Sequence, residues 1–104
     1  MSDRLGKLRA LLEVDPDDAF TRYAIAMELK KHDRRDEALA EFEELVKRCP
    51  DYVATYYHYG ALLANLGRRD DARAILDRGL AAAAKAGDEH SADELRESIE
   101  ALDA

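Results

Sequence analysis

Apolar residues return along this chain every three or four positions, the spacing of one face of an α-helix, and not in the alternation of a half-buried strand. Leu5, Leu8, Leu11 and Leu12 form the first stripe, in a predicted helix over 3–13 that Ser2 or Asp3 caps and Pro16 ends. Asp15, Asp17 and Asp18 then supply a turn and capping carboxylates for a second helix over 19–31. That helix carries Phe20, Tyr23, Ala24 and Met27 on one side and Ala26 and Leu29 towards another, so it packs against more than one neighbour. His32, Asp33, Arg34 and Arg35 make the next turn, and a third helix over 36–49 buries Ala38, Leu39, Phe42, Leu45 and Val46 before Pro50 stops it. A fourth helix over 51–66 is rich in tyrosine (Tyr52, Tyr56, Tyr57, Tyr59). Gly60 in its interior marks a place where another helix approaches closely, and Gly67 closes it in the left-handed conformation. The fifth helix, 70–86, turns Ala72, Ile75, Leu76 and Leu80 inward and ends at Gly87. The last, 88–103, has Leu95, Ile99 and Leu102 on one face; it starts at Asp88 or at the capping box Ser91-Ala92-Asp93-Glu94.

Six helices and no strand follow from this pattern, and it repeats. Arg34-Arg35-Asp36-Glu37-Ala38 returns 34 residues later as Arg68-Arg69-Asp70-Asp71-Ala72. Around those copies Thr21 aligns with Thr55, Tyr23 with Tyr57, Leu29 with Leu63, and Phe42 with Leu76. Ala26 and Gly60 on the first helix of each pair, and Ala38 and Ala72 on the second, are small enough to let the helices close, with large residues filling the space around them. A fixed period of this length is that of a two-helix unit that stacks into a solenoid.

The second copy, with Tyr56, Tyr59-Gly60, Leu63, Ala72 and Leu76, and the first, with Ile25-Ala26, Leu29, Ala38, Phe42 and Pro50, resemble the tetratricopeptide repeat (TPR). The departures are Arg22 in place of the first aromatic, Gly79 in place of the late alanine, and Ala84 where the second closing proline would fall. The first helix resembles the second half of a preceding unit, with Leu8 and Leu12 in register with Phe42 and Val46, and Arg4 where that unit's small alanine belongs. The resemblance implies one all-α TPR-like domain over 1–104. It comprises an N-terminal half-repeat helix (1–16), repeats over 17–50 and 51–87, and a C-terminal capping helix (88–104).

Composition narrows the function by exclusion. A net charge of −7 disfavours nucleic acid and anionic membrane surfaces, both of which bind through neutralising cations. No apolar run approaches the length of a membrane span and no leader-like segment is visible; with a single cysteine, Cys49, the expected setting is the reducing cytoplasm. His32, His58 and His90 have no paired metal spacing, and no phosphate loop or nucleophile motif occurs, so no metal, cofactor or enzymatic activity is expected. Cys49 reads as a packing thiol. The Arg34/Arg35 and Arg68/Arg69 pairs read either as a ridge for acidic partners or as charges serving the neighbouring helix ends. Glu37, Glu41, Glu43 and Glu44 read as the solvated face of the third helix.

The resemblance further implies a non-enzymatic adaptor that holds a peptide or helix on an inner face built from the first helix of each pair. That face would present Phe20, Tyr23, Ala24, Met27, Lys30 and Lys31, then Ala54, Tyr57, His58, Ala61 and Asn65. Phe20, Tyr23, Met27, Tyr57, His58 and Ala61 are the expected partner contacts, since aromatic and methionine side chains give large, adaptable contact area. A carboxylate clamp is not expected, because Tyr23, Met27 and His58 stand where such clamps need lysine and asparagine. Two alternatives stay open: a terminal helix covers this face and makes its aromatics core, or a second copy buries it in a homodimer.

Overall fold

The computed structural model describes residues 3–104, so Ser2, one candidate cap, lies outside the described residues. Its elements are helices: α1 (Asp3–Val14), α2 (Ala19–Lys31), α3 (Arg35–Arg48), α4 (Ala54–Asn65), α5 (Arg69–Ala86) and α6 (Glu89–Asp103). They pack in sequential antiparallel pairs within two compact units, one ending at Cys49 and one beginning at Pro50.

In the N-terminal unit α2 lies between α1 and α3. Ile25, Ala26 and Leu29 of α2 and Ala38, Phe42 and Leu45 of α3 are fully enclosed, each large side chain contributing about 1.5–3 kcal/mol. Leu5 and Leu8 join them from α1, but Leu11, expected in the same stripe, is 58% exposed. Its counterpart one repeat on, Leu45, is completely buried, so the same stripe position is enclosed on α3 and open on α1. Three charged side chains, Arg22, Glu41 and Glu28, are covered where the sequence pattern showed only helix surface. The Arg22 guanidinium bonds the Glu41 carboxylate at 3.1 Å with both side chains mostly covered, so Glu41 belongs to the α2–α3 seam and not to the solvated face. Glu28 is buried and meets His32 at 2.9 Å and Arg4 at 3.4 Å.

In the C-terminal unit α5 lies between α4 and α6, and α6 also touches α4. Two glycines interlock α4 with α5. A Cβ on Gly60 of α4 would stand 2.5 Å from Leu76 Cδ2, and a Cβ on Gly79 of α5 would stand 2.5 Å from Tyr56 Cβ. Gly60 thus admits the close approach its position implied, and Gly79, which looked like a mere departure from alanine, does the same in return. Leu80 is correspondingly only half-buried, with Gly79 and Ala83 taking the inward positions of that turn. Tyr56 itself donates its hydroxyl to the Pro50 carbonyl oxygen at 2.5 Å, and burial pushes its phenol up from the ordinary value.

Helix ends follow local chemistry. α2 and α4 both close with the amide three residues past the end, that of Arg34 or Arg68, bonding back to Leu29 or Leu63 at 2.9 Å, through left-handed Asp33 (φ 61°) and Gly67 (φ 79°). α4 starts later than expected: Asp51, Tyr52 and Val53 form turns, and the amides of Thr55 and Tyr56 bond the Tyr52 and Val53 carbonyls. α6 starts at the earlier of its two candidates. Asp88 caps it, accepting from the Ser91 amide at 3.1 Å and the Ser91 hydroxyl at 2.7 Å, so Ser91 supports the cap and does not supply it. These two bonds hold the Asp88 carboxyl below its ordinary value.

Three of the four doubled arginines pair with acids beside the helix starts. Arg34 pairs with Glu37, Arg68 with Asp71 at 2.9 Å, and Arg35 with Asp33 at 2.9 Å.

Candidate functional site

Of the expected partner contacts, Phe20, Tyr23 and Met27 lie on α2. Phe20 is 64% exposed in the first turn, while Tyr23 and Met27 are half-buried; Ala24, expected on the same face, is buried in the core. Tyr57, His58 and Ala61 lie on α4. The Tyr57 and His58 rings meet edge to face with centroids 5.1 Å apart and planes at 86°, so each restrains the other. Tyr57 remains 37% exposed, and Ala54, Ala61 and Asn65 are exposed with it.

What α4 faces is α6. Because Leu95 anchors α6 in the core of this unit, the next turns of α6 run beside α4 and leave a groove between them. One cleft of about 230 Å³ is lined by Ala54, Tyr57 and His58 from α4 and by Ser91, Glu94 and Leu95 from α6. A second, of about 250 Å³, has Tyr57 opposite Glu94, Glu97, Ser98 and Ala101. A third, of about 420 Å³, continues between Gly60, Ala61, Ala64 and Asn65 on one side and Ser98, Ala101 and Leu102 on the other. Tyr57 is shared by the first two clefts, and Ser98 and Ala101 by the last two, so they form one continuous groove.

The last helix therefore neither buries the α4 face nor leaves it alone; it becomes the second wall. Glu94, Glu97, Ser98 and Ala101 on that wall were missed as site residues. The available signal was their spacing of three and four along α6, a row beside the Leu95–Ile99–Leu102 stripe with small residues in its second half.

Chemically the groove offers a tyrosine face, small side chains that let a backbone come close, and a few polar groups at the rim. Among the described residues no cluster of His, Cys, Asp or Glu is placed to hold a metal ion, and no helix is long and apolar enough to cross a membrane. Cys49 is partly covered, its Sγ 3.8 Å from the Asp17 carbonyl oxygen.

No curated protein matches the chain. Solved structures do. A tetratricopeptide repeat domain protein from Salinibacter ruber is 45% identical, matched over 84% of this chain and 98% of its own, with a TM-score of 0.80. A protein of Bordetella parapertussis is 27% identical over 98% of this chain and 89% of its own, with a TM-score of 0.82. The TPR2B domain of yeast Sti1, solved in complex with pHsp70, shares the fold at 19% identity, covering 95% of this chain and 79% of that one with a TM-score of 0.88. The family model for the tetratricopeptide repeat matches residues 29–92. With the two-helix period, the small-residue contacts and the antiparallel pairs, these matches show that the chain belongs to the tetratricopeptide repeat family.

Proposed function

We propose that the chain is a non-enzymatic interaction domain that holds a segment of another protein against the open side of α4, in the groove it shares with α6. The carrying observation is the continuous groove from Ala54 to Asn65, with a half-exposed tyrosine at its middle and alanine, glycine and serine on its walls. A solvent-exposed aromatic held in place by a neighbouring ring suits recognition, because little side-chain freedom is lost on binding. The complex of the Sti1 domain with pHsp70 supports the reading, since a domain of the same fold is seen there bound to another chain. In the N-terminal unit, exposed Phe20 with half-buried Tyr23 and Met27 gives α2 a contact strip of the same kind.

The test is affinity capture from the native cell extract, with wild-type protein beside Tyr57→Ala and Ala61→Glu, circular dichroism confirming that both variants stay helical. The expected result is a partner retained by wild type and reduced at least tenfold by each variant. A partner set unchanged by both substitutions overturns the groove as the binding site.

A further inference from the structure

The charge on the groove walls is of one sign. Lysine and arginine are absent from the lining of all three clefts, and the charged side chains there are Glu94 and Glu97. Both are exposed. Four acids of this unit outside the groove pair with a cation: Asp71 with Arg68 at 2.9 Å, Asp93 with Arg96 at 2.9 Å, Asp51 with Lys85 at 3.3 Å, and Asp103 with Arg73. Glu94 lies 3.8 Å from the His90 ring, and neither Glu94 nor Glu97 forms an ion pair with a lysine or arginine among the described residues. Arg96, the nearest cation in sequence, is engaged with Asp93. The negative potential of the groove therefore comes from the placement of two carboxylates beside an apolar floor, where a bound segment would displace water and strengthen their field.

We infer that the occupant is a basic protein segment, one apolar side chain seated against Tyr57, Ala61 and Ala101 with lysine or arginine beside it facing Glu94 and Glu97. This rests on the groove being the binding site, as proposed above. The two walls set the size. Tyr57 to Asn65 and Glu94 to Ala101 each rise about 10–12 Å at roughly 1.5 Å per residue, room for two turns of helix or about four extended residues. An acidic segment, of the kind a carboxylate clamp takes, would place its charge against Glu94 and Glu97 with no cation to receive it.

Three fluorescein-labelled model peptides of equal length test this: a leucine/lysine peptide, a leucine/glutamate peptide and a serine/lysine peptide without the apolar anchor. Affinity is read by anisotropy and position by amide chemical shifts on ¹⁵N-labelled protein. The leucine/lysine peptide is expected to bind and to shift the amides of Ala61, Ser98 and Ala101. The double variant E94Q/E97Q should weaken it at least tenfold, while D70N/D71N, which removes the same charge elsewhere, should change it less than twofold. Equal binding of the leucine/glutamate peptide at those amides, or an unchanged affinity in E94Q/E97Q, overturns the selection by charge and leaves the groove standing; equal binding of the serine/lysine peptide overturns the apolar anchor. Failure of every peptide to move those amides overturns both.

Discussion

Gly79 and Gly60 decide how closely α4 and α5 approach, and they do so unequally. A methyl group on Gly60 meets the flexible end of Leu76, whereas one on Gly79 meets Tyr56 Cβ, an atom fixed to its own backbone, and also Leu95 Cδ2 at 3.1 Å. Alanine is the better helix former by up to about 1 kcal/mol, yet overpacking of this kind costs about 1–3 kcal/mol. Gly79→Ala should therefore destabilise the protein by about 1–2 kcal/mol and Gly60→Ala by less, as read by urea denaturation. Thr55 makes the opposite case. Its repeat partner Thr21 donates its hydroxyl to Asp18 at 2.5 Å, but Tyr52 stands three residues before Thr55, and the Thr55 Oγ1 is fully buried with no hydrogen-bond partner. Thr55→Val keeps the shape and removes an unpaired polar group, so it should raise stability by about 1 kcal/mol in the same assay, while Thr21→Val should lower it. Gly60 announced its role by lying inside a helix. Gly79 did not, because its cause is a side chain on another helix, and the orphaned Thr55 hydroxyl was hidden behind an identity shared by the two repeats.

At the scale of elements, the period of the apolar residues carried all six helices, and the misplaced ends trace to local bonds that periodicity does not encode. The fourth helix was expected from Asp51, an acid after a proline; Tyr56 instead ties back to the Pro50 carbonyl, and residues 51–53 stay outside the helix, which begins at Ala54. The exposed Leu11 likewise belongs to a stripe that is regular in sequence but of which only Leu5 and Leu8 are buried. For α6 the cap makes a pH-dependent prediction. Ser91 lowers the Asp88 carboxyl in the folded state, so the folded protein holds its proton less tightly than the unfolded chain does. The cap's contribution is full above the ordinary carboxylate value and is lost as pH falls below about 4. Amide exchange at Ser91 and Ala92, normalised to intrinsic rates, should lose protection across that range in wild type. Asp88→Asn, which caps without titrating, should remove the pH dependence.

For the molecule as a whole, the sequence located the first helix of each pair as the place to look, and the wall opposite α4 became visible only once α6 was seen beside it. A groove built by two helices some 30 residues apart depends on the angle at which α6 leaves α5, which Gly87 (φ 69°) and the Asp88 cap set together. The central claim is that this groove holds the partner, and a photo-crosslinker tests it most directly. Placed at Ala61 in the groove, and separately at exposed Glu43 on α3, a photoreactive amino acid should crosslink the partner in cell extract from position 61 and not from position 43. Crosslinking of the same partner from position 43 with none from position 61 would contradict the account.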